Sequence, residues 1–360
     1  MIKQIYFCKN FYMFHPLKVG AIRPLTADAK AITFEVPYEL RDSFAFKAGQ
    51  YVTIEIEIDE EYVRRPYSIS SSTRSEHITV GVKQVPEGRF TTYILNELRE
   101  GMTVNVSEPE GRFVYESPGN PENVLLIAAG SGITPVLSIT DEVLRSTVGN
   151  RCLLIYGNRR PEETMFSQDI QAYSEEFPDR FQLRPVYSRA TVEGADYGRI
   201  DQGILLKNLH NFAALEDIDR VYICGPQEMI ERIKEVLVKK GMPEDRLFFE
   251  LFTPPKTVEE PKPVATAGTT EATVILDGIS HRINFPTGSF LLDEVLKAGL
   301  DAPYSCQGGI CSSCVAKISD GQATMVKNQI LTDQEVEEGL ILTCQARCDS
   351  ERITIDYDDV

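Results

Sequence analysis

Residues 304–314 read YSCQGGICSSC, and a further cysteine, Cys344, follows after a gap of 29 residues. Cys306-x4-Cys311-x2-Cys314 with a distant fourth cysteine is the spacing of plant-type 2Fe–2S ligation. Three thiolates come from one tight loop and the fourth from a remote strand. Gly308 and Gly309 let the loop backbone curl, so that amide N–H groups turn toward sulfur and favour the more negative, reduced cluster. Ser312 and Ser313 offer hydroxyl donors beside it. A four-cysteine zinc site is the alternative, but zinc loops usually pair one C-x2-C with another, and a single such pair exists here. Cys348, four residues past Cys344, reads as a bystander thiol rather than a ligand.

Working outward from that loop, Thr273–Asp277 and Ser280–Phe285 form two strand runs split at Asp277-Gly278, a hairpin signal. A short helix follows, with Ser289 as its expected N-cap, Leu292, Val295 and Leu296 on one face, and Gly299 at C′. These elements and the cysteines make residues 271–360 one small α+β domain. Ahead of it, residues 253–270 read TPPKTVEEPKPVATAGTT, with four prolines and no large aliphatic cluster. Such a segment reads as a semi-extended linker able to span roughly 55 Å at about 3.1 Å per residue. It allows the domain to shuttle between two electron-transfer positions, or serves as a passive spacer between packed domains.

Two other regimes precede the linker. From about residue 123 to 252, apolar strand runs (Val124–Ala129, Cys152–Tyr156, Phe181–Tyr187, Val221–Cys224) alternate with helical segments near Pro135–Leu144, Gln168–Phe177 and Pro226–Val238. That alternation predicts a parallel sheet covered by helices. From about residue 17 to 113 the pattern is instead short strands of alternating polarity: Ala31–Val36, Tyr51–Glu57, His77–Val82 and Thr103–Val106. One helical stretch, Phe90–Leu98, interrupts them, which predicts an antiparallel β-barrel. The expected domains are 15–116, 117–252 and 271–360.

Each regime carries candidate chemistry. In the barrel, Arg65-Pro66-Tyr67-Ser68 supplies an Arg for a pyrophosphate, a Tyr to stack on a flat ring and a Ser for its edge. Lys83 and Gly88-x-x-Thr91 follow, the latter offering free N–H groups and a hydroxyl to a phosphate. An ordinary barrel strand with a surface Arg and a core Tyr would look the same. In the α/β region a strand runs into Gly130-Ser131-Gly132-Ile133-Thr134-Pro135 and then a helix. This is not G-x-G-x-x-G, but its two glycines permit the same close approach to a pyrophosphate, and Pro135 is expected at the first helical position. A tight turn with no ligand is the alternative. Ser188 and Arg189 end one strand, where they suit the 2′-phosphate of NADPH over NADH; a solvated loop Arg would look alike. Cys224, Gly225 and Pro226 end another, where Cys224 is either a cofactor-side thiol or a small inert hydrophobe.

Composition limits the alternatives. The 360 residues suffice for two or three domains, and 42% apolar with 25% charged residues is ordinary for a globular chain. No apolar run reaches membrane-spanning length, and the first seventeen residues lack an h-region and cleavage site, so a cytoplasmic protein is expected. Met13 is an equally good start to Met1. A net charge of −17 argues against a nucleic-acid partner. Residues 271–360 hold 15 acidic and 6 basic side chains, an acidic bias that either steers a basic partner or is simply solvated. Eight cysteines without an extracellular context are not a disulfide framework, and the four histidines have no metal-ligand spacing.

RPYS, AAGSGITP, YGNR, YICGP and the closing Phe249-Glu250-Leu251-Phe252, in that order, resemble the ferredoxin–NADP reductase superfamily. With VGVKQVPEGRFTTY, the linker position and YSCQGGICSSC, nearly the whole chain from His15 resembles the subgroup of reductase subunits of multicomponent phenylacetyl-CoA epoxidases. The resemblance implies FAD on the barrel, NADPH on the α/β domain (NADH being the lesser choice) and a β-grasp ferredoxin module. Arg65, Pro66, Tyr67, Ser68, Val82, Lys83, Gly88, Arg89, Phe90 and Thr91 would contact FAD. Gly130, Ser131, Gly132, Ile133, Thr134, Arg159, Ser188, Arg189, Cys224, Gly225 and Pro226 would line the nicotinamide nucleotide site. Ser68, Cys224 and Glu250 would serve the reaction, with Phe252 near the flavin ring. Electrons would pass to an oxygenase, di-iron in the epoxidase. A reductase for an aromatic-ring hydroxylase or a hybrid-cluster protein, and a redox-sensing module without turnover, are the other readings.

Overall fold

The computed structural model describes residues 14–251, 268–276, 278–300, 302–304 and 306–360. The chain divides into two compact units, one within Phe14–Thr253 and one within Pro254–Val360. Among the described residues no helix is long and apolar enough to cross a membrane.

The first unit opens with six antiparallel strands: β1 (Phe14–Thr26), β2 (Ala29–Glu35), β3 (Tyr51–Ile58), β4 (Glu61–Ser68), β5 (Ile78–Lys83) and β6 (Thr103–Ser107). Their order is β4-β3-β6-β1-β2-β5, and a bridge from Ile69 to Val80 joins the two edges, closing the sheet into the expected barrel. The sequence reading missed β4 because Pro66 interrupts it. Pro66 is tolerated because β4 is an edge strand, where a missing N–H breaks no central ladder. Inward alternation buries Leu17, Ile32, Phe34, Ile54 and Val80, and α1 (Arg89–Asn96) adds Ile94 to that core.

The same unit continues into β7 (Asn123–Ala129), β8 (Arg151–Asn158), β9 (Phe181–Tyr187), β10 (Asp196–Tyr197), β11 (Arg220–Gly225) and β12 (Leu247–Leu251). They form one parallel sheet in the order β10-β9-β8-β7-β11-β12. Helices α2 (Ile133–Ser146), α3 (Ser167–Glu176), α4 (Gln202–His210) and α5 (Gln227–Lys239) connect or cover them. Because the sheet is covered, Val124–Ala128 and Cys152–Tyr156 are buried along their whole length. Strand order reverses between β7 and β11, which opens a crevice at their carboxyl ends. Pro135 occupies the third helical position of α2 rather than the first. It fits there because first-turn N–H groups have no helical acceptor, so a proline removes no bond.

The second unit contains β13 (Thr269–Leu276), β14 (Ile279–Pro286), α6 (Leu291–Lys297), β15 (Val315–Asp320), β16 (Ala323–Met325), α7 (Asp333–Glu337), β17 (Leu340–Leu342), β18 (Ala346–Cys348) and β19 (Arg352–Asp356). Five of these strands form a mixed sheet, β14-β13-β19-β15-β17, with β13 and β19 parallel at its centre. Helix α6 buries Leu291, Leu292 and Val295 in the domain core, giving the β-grasp arrangement. Gly278 turns the β13–β14 hairpin at φ +71°, and Gly299 ends α6 at φ +77°, as expected of both. Ser289 is not the N-cap. Phe290 takes that place, held extended by a bridge to Arg347 whose guanidinium lies 4.5 Å from the ring centroid. Of the expected linker, all but its last three residues lie outside the described residues, and β13 begins at Thr269.

One polar triad crosses the barrel wall. Arg64 on β4, Glu55 on β3 and Asn105 on β6 stand in register. Arg64 Nε donates to Glu55 Oε2 at 2.7 Å and Asn105 Nδ2 to Glu55 Oε1 at 3.0 Å, with the Arg and Glu side chains 11% and 10% exposed. Removing one member strands a buried charge. Arg64→Ala is expected to cost about 3–5 kcal/mol in urea unfolding, whereas Arg64→Met with Glu55→Leu costs clearly less than the two single changes summed. Equal costs would show that the pair is solvated.

Candidate functional site

The carboxyl end of β4 brings the first group of predicted residues into place. Strand alternation sets Arg65 and Tyr67 on one face, with Arg65 exposed. The Tyr67 ring stacks on Phe90 at 5.8 Å and 26°, and burial pushes its hydroxyl well above the usual phenol range. Ser68 is buried at the strand end, and its Oγ donates to Glu250 Oε2 at 3.3 Å. Gly88 caps α1, leaving first-turn N–H groups of that helix without helical acceptors. Thr91 Oγ1 accepts from Val85 N at 3.1 Å and lies 3.2 Å from the Gly88 carbonyl, so it closes the loop on itself. Other predicted side chains point elsewhere. Val82 and Phe90 lie in the barrel core, Lys83 faces Asp28 at 3.5 Å, and Arg89 binds Ile58 O and Asp59 at 3.1 Å.

The crevice between β7 and β11 carries the second group. Gly130 has φ +56°, a conformation that side chains resist, and its carbonyl accepts from the Tyr156 hydroxyl at 3.0 Å. Gly132 answers a different constraint: a Cβ there would lie 2.3 Å from the Cys224 carbonyl oxygen. Ser131 and Thr134 close the turn through a 3.1 Å bond from Thr134 Oγ1 to Ser131 O, and Ile133 anchors it in the core. Gly225 and Pro226 then lead into α5, Pro226 serving as its N-cap residue. The turn thus presents backbone N–H groups at a helix start and has no room for a side chain at Gly132, which fits a pyrophosphate.

Cys224 and Glu250 sit side by side on β11 and β12. Burial, reinforced by Glu250, holds the Cys224 thiol well above its ordinary range, so it stays protonated. Glu250 is half-buried as a residue, but its carboxyl end is enclosed, and that burial raises it to about 8 against the lowering effect of the Ser68 bond. Ser68, Glu250 and Cys224 are therefore one constellation, drawn from separate strands. Farther along the same sheet edge, Ser188 N donates to Asn158 O at 3.0 Å and Arg189 N to Arg159 O at 2.9 Å. These bonds place Arg159 and Arg189, both exposed, beside each other. Phe252 lies outside the described residues.

In the second unit the four predicted cysteines converge. Cys311 Sγ lies 3.1 Å from Cys306 Sγ, and Cys314 hydrogen-bonds to Cys344. Two thiol pairs suit two irons. Gly308 N donates to Cys306 Sγ at 3.3 Å, and the Cys306 thiol is pushed down to about 6 by Cys311 and by the N–H groups of Gly308, Ile310 and Cys311. Gln307 and Gly309 adopt φ +50° and +70° to make this curl. The sequence reading missed Lys327 and Gln345. A Cβ on Gly309 would lie 3.1 Å from Lys327 O and 2.9 Å from Gln345 Cγ, and Gln345 Nε2 donates to Gln307 O at 3.0 Å. Neither belongs to the cysteine spacing, so the chain offers no local signal for them. Ser313 Oγ is 3.6 Å from Cys311 Sγ. Cys348 is a bystander: it is buried, and its Sγ donates to Ser350 O at 3.4 Å.

Comparison with known proteins finds three matching domains. Residues 16–115 match the oxidoreductase FAD-binding domain, 126–235 the oxidoreductase NAD-binding domain and 274–349 the 2Fe–2S iron–sulfur cluster binding domain. The chain is 34% identical to a subunit of the 1,2-phenylacetyl-CoA epoxidase of Escherichia coli K12, over 96% of this chain and 98% of that one. It is 33% identical to the ferredoxin reductase component of 3-ketosteroid-9-alpha-monooxygenase of Rhodococcus rhodochrous, over 95% and 96%. Phthalate dioxygenase reductase shares the fold at a TM-score of 0.62 and 22% identity, over 95% of this chain and 98% of that one. With the cluster loop, the nucleotide turn and the barrel strand in one order and the likeness running the full length, the chain belongs to the ferredoxin–NADP reductase-like oxidoreductases that carry FAD-binding, NAD-binding and 2Fe–2S domains and serve oxygenases.

Proposed function

We propose that the chain carries electrons from NADPH through FAD and a 2Fe–2S cluster to a cytoplasmic oxygenase, the di-iron phenylacetyl-CoA epoxidase. Residues 15–116, 117–252 and 271–360 would hold the three groups. The observation that carries the proposal is the meeting of Ser68 with Glu250 at 3.3 Å beside Cys224, at a crevice where a barrel-bound ring and a sheet-bound nicotinamide would face each other. The 34% identity to the epoxidase component supports the choice of acceptor.

When bound, FAD would supply the conversion of one two-electron hydride into single electrons, which a one-electron cluster requires. The chain's own residues arrange that exchange. Arg65 would pair with the pyrophosphate and Tyr67 would support the ring, while the N–H groups after Gly88 face a phosphate. Gly130–Thr134 would hold the nucleotide pyrophosphate, with Ser188, Arg189 and Arg159 at the 2′-phosphate. Glu250 keeps a proton on its carboxyl below about pH 8, so the crevice holds no buried negative charge there, and Ser68 Oγ donates to that carboxyl at 3.3 Å. Cys306, Cys311, Cys314 and Cys344 would ligate the cluster, and loop N–H groups would stabilise its reduced charge.

Four outcomes test these assignments. Anaerobically purified protein should contain about two irons and two sulfides per chain, and Cys311→Ser should abolish one-electron acceptor reduction while FAD reduction by NADPH persists. Zinc in elemental analysis would refute the ligand set. For nucleotide choice, Arg189→Ala should raise KM for NADPH about ten- to a hundredfold, the loss of a charged hydrogen bond, and leave KM for NADH nearly unchanged. A wild-type preference for NADH would overturn that role. For Glu250, flavin reduction by NADPH should be full below about pH 8 and fall as pH rises through it, because ionisation would bury a negative charge in the crevice. Glu250→Gln, which cannot ionise, should flatten that profile in stopped-flow measurements. Turnover of phenylacetyl-CoA by the purified epoxidase components with this reductase identifies the acceptor; coupling to other oxygenases alone would redirect it.

A further inference from the structure

A glycine closes the junction between the barrel and the nucleotide turn. Gly81, on β5 opposite Ala31, would place a Cβ 2.7 Å from Thr134 Cγ2, 2.8 Å from Phe166 Cε2 and 3.0 Å from Met165 Cε. Met165 can bend away at its far end. Thr134 and Phe166 cannot, one being β-branched and the other a buried ring. Phe166 is also held in the left-handed region at φ 56°, ψ 26°, where a bulky residue persists only if its surroundings over-determine it. They do so here. Arg23 of β1 lies 5.9 Å from the Phe166 ring centroid and binds both carboxylate oxygens of Asp169 on α3 at 2.9 and 3.0 Å. The Tyr156 hydroxyl that donates to Gly130 O also stands 3.4 Å from Met165 O. One hydroxyl therefore ties the Met165–Phe166 segment to the first residue of the nucleotide turn.

We infer that Gly81, Thr134 and Phe166 form a rigid spacer that sets the separation between the barrel-bound flavin and the nucleotide turn, making them positioning residues for hydride transfer. The inference rests on the proposed FAD and nicotinamide sites. Hydride transfer tolerates little misplacement, so a spacer altered by a few tenths of an ångström changes rate more than affinity.

The test uses the full-length, FAD-loaded protein mixed anaerobically with NADPH, reading the long-wavelength nicotinamide–flavin charge-transfer absorbance, the rate of flavin reduction and the Kd for NADPH. Gly81→Ala should weaken the band and slow reduction about tenfold while Kd stays within about twofold. Adding Thr134→Ser and Phe166→Leu to Gly81→Ala should restore both, because the two unyielding neighbours of the new methyl, Thr134 Cγ2 and the Phe166 ring, are then gone while the hydroxyl at 134 is kept. An unchanged band and rate in Gly81→Ala, or a loss that these two changes together fail to restore, overturns the spacer. Should Gly81→Ala not retain FAD, Phe166→Leu alone decides: a weakened band supports the spacer and an unchanged one overturns it. A wild-type protein that binds FAD but gives no response to NADPH would instead fail the underlying site assignment.

Discussion

The approach of two backbones at Gly132 and Cys224 is the constraint on which the nucleotide half of the first unit depends. Any side chain at Gly132 would strike the Cys224 carbonyl, so the turn after β7 lies against the end of β11 with nothing between. Strand order reverses at that pair. Right-handed crossovers then send α2 and α5 to opposite faces of the sheet, and the space between their starts becomes the crevice. Gly130, free of steric neighbours but held at φ +56°, sets the direction in which the chain enters α2. One glycine answers to space and the other to torsion.

Burial gives the crevice its chemistry. A carboxyl and a thiol on adjacent strands would ionise at their ordinary pH in water. Here desolvation penalises both charged forms, and each would add to the other's cost. The result is a neutral pair at physiological pH, with the Ser68 hydroxyl as the polar contact from the barrel. The buried Glu55–Arg64 pair in the barrel wall shows the opposite solution, since there the carboxylate has a cation and an amide directly opposite. Consecutive arginines thus serve different ends: alternation sends Arg64 to Glu55 and leaves Arg65 exposed on the Tyr67 face.

The cysteine loop solves a third problem, that of gathering thiolates which repel one another. Backbone N–H groups of Gly308, Ile310 and Cys311 face Cys306 and that of Gly309 faces Cys344, and the left-handed torsions at Gln307 and Gly309 are what aim them. Lys327 and Gln345, from later segments, wall the loop in through Gly309 and Gln307. Thr343 adds a brace, its Oγ1 donating to Cys314 O at 2.9 Å and so tying the turn that carries Cys344 to Cys314.

The chain itself determined much of this. Alternating polarity marked the barrel strands, long apolar runs marked the parallel sheet, and spacing alone marked Cys306, Cys311, Cys314 and Cys344, because ligation by a tight loop is a local geometric demand. Glycine and proline at 130–135 marked the strand–turn–helix. Local rules failed where neighbours overrode them: β4 was hidden by Pro66 until its edge position was known, and Ser289 lost the cap to Phe290 because Arg347 holds that ring. Tertiary structure alone decided which residues meet. Ser68 and Glu250 are separated by 182 positions, Gly81 packs against Thr134 and Phe166, and Lys327 stands beside the cluster loop. Such meetings follow from strand order and close packing between distant segments, and no periodicity or spacing in a single segment encodes them, since local patterns record only which face of an element is buried.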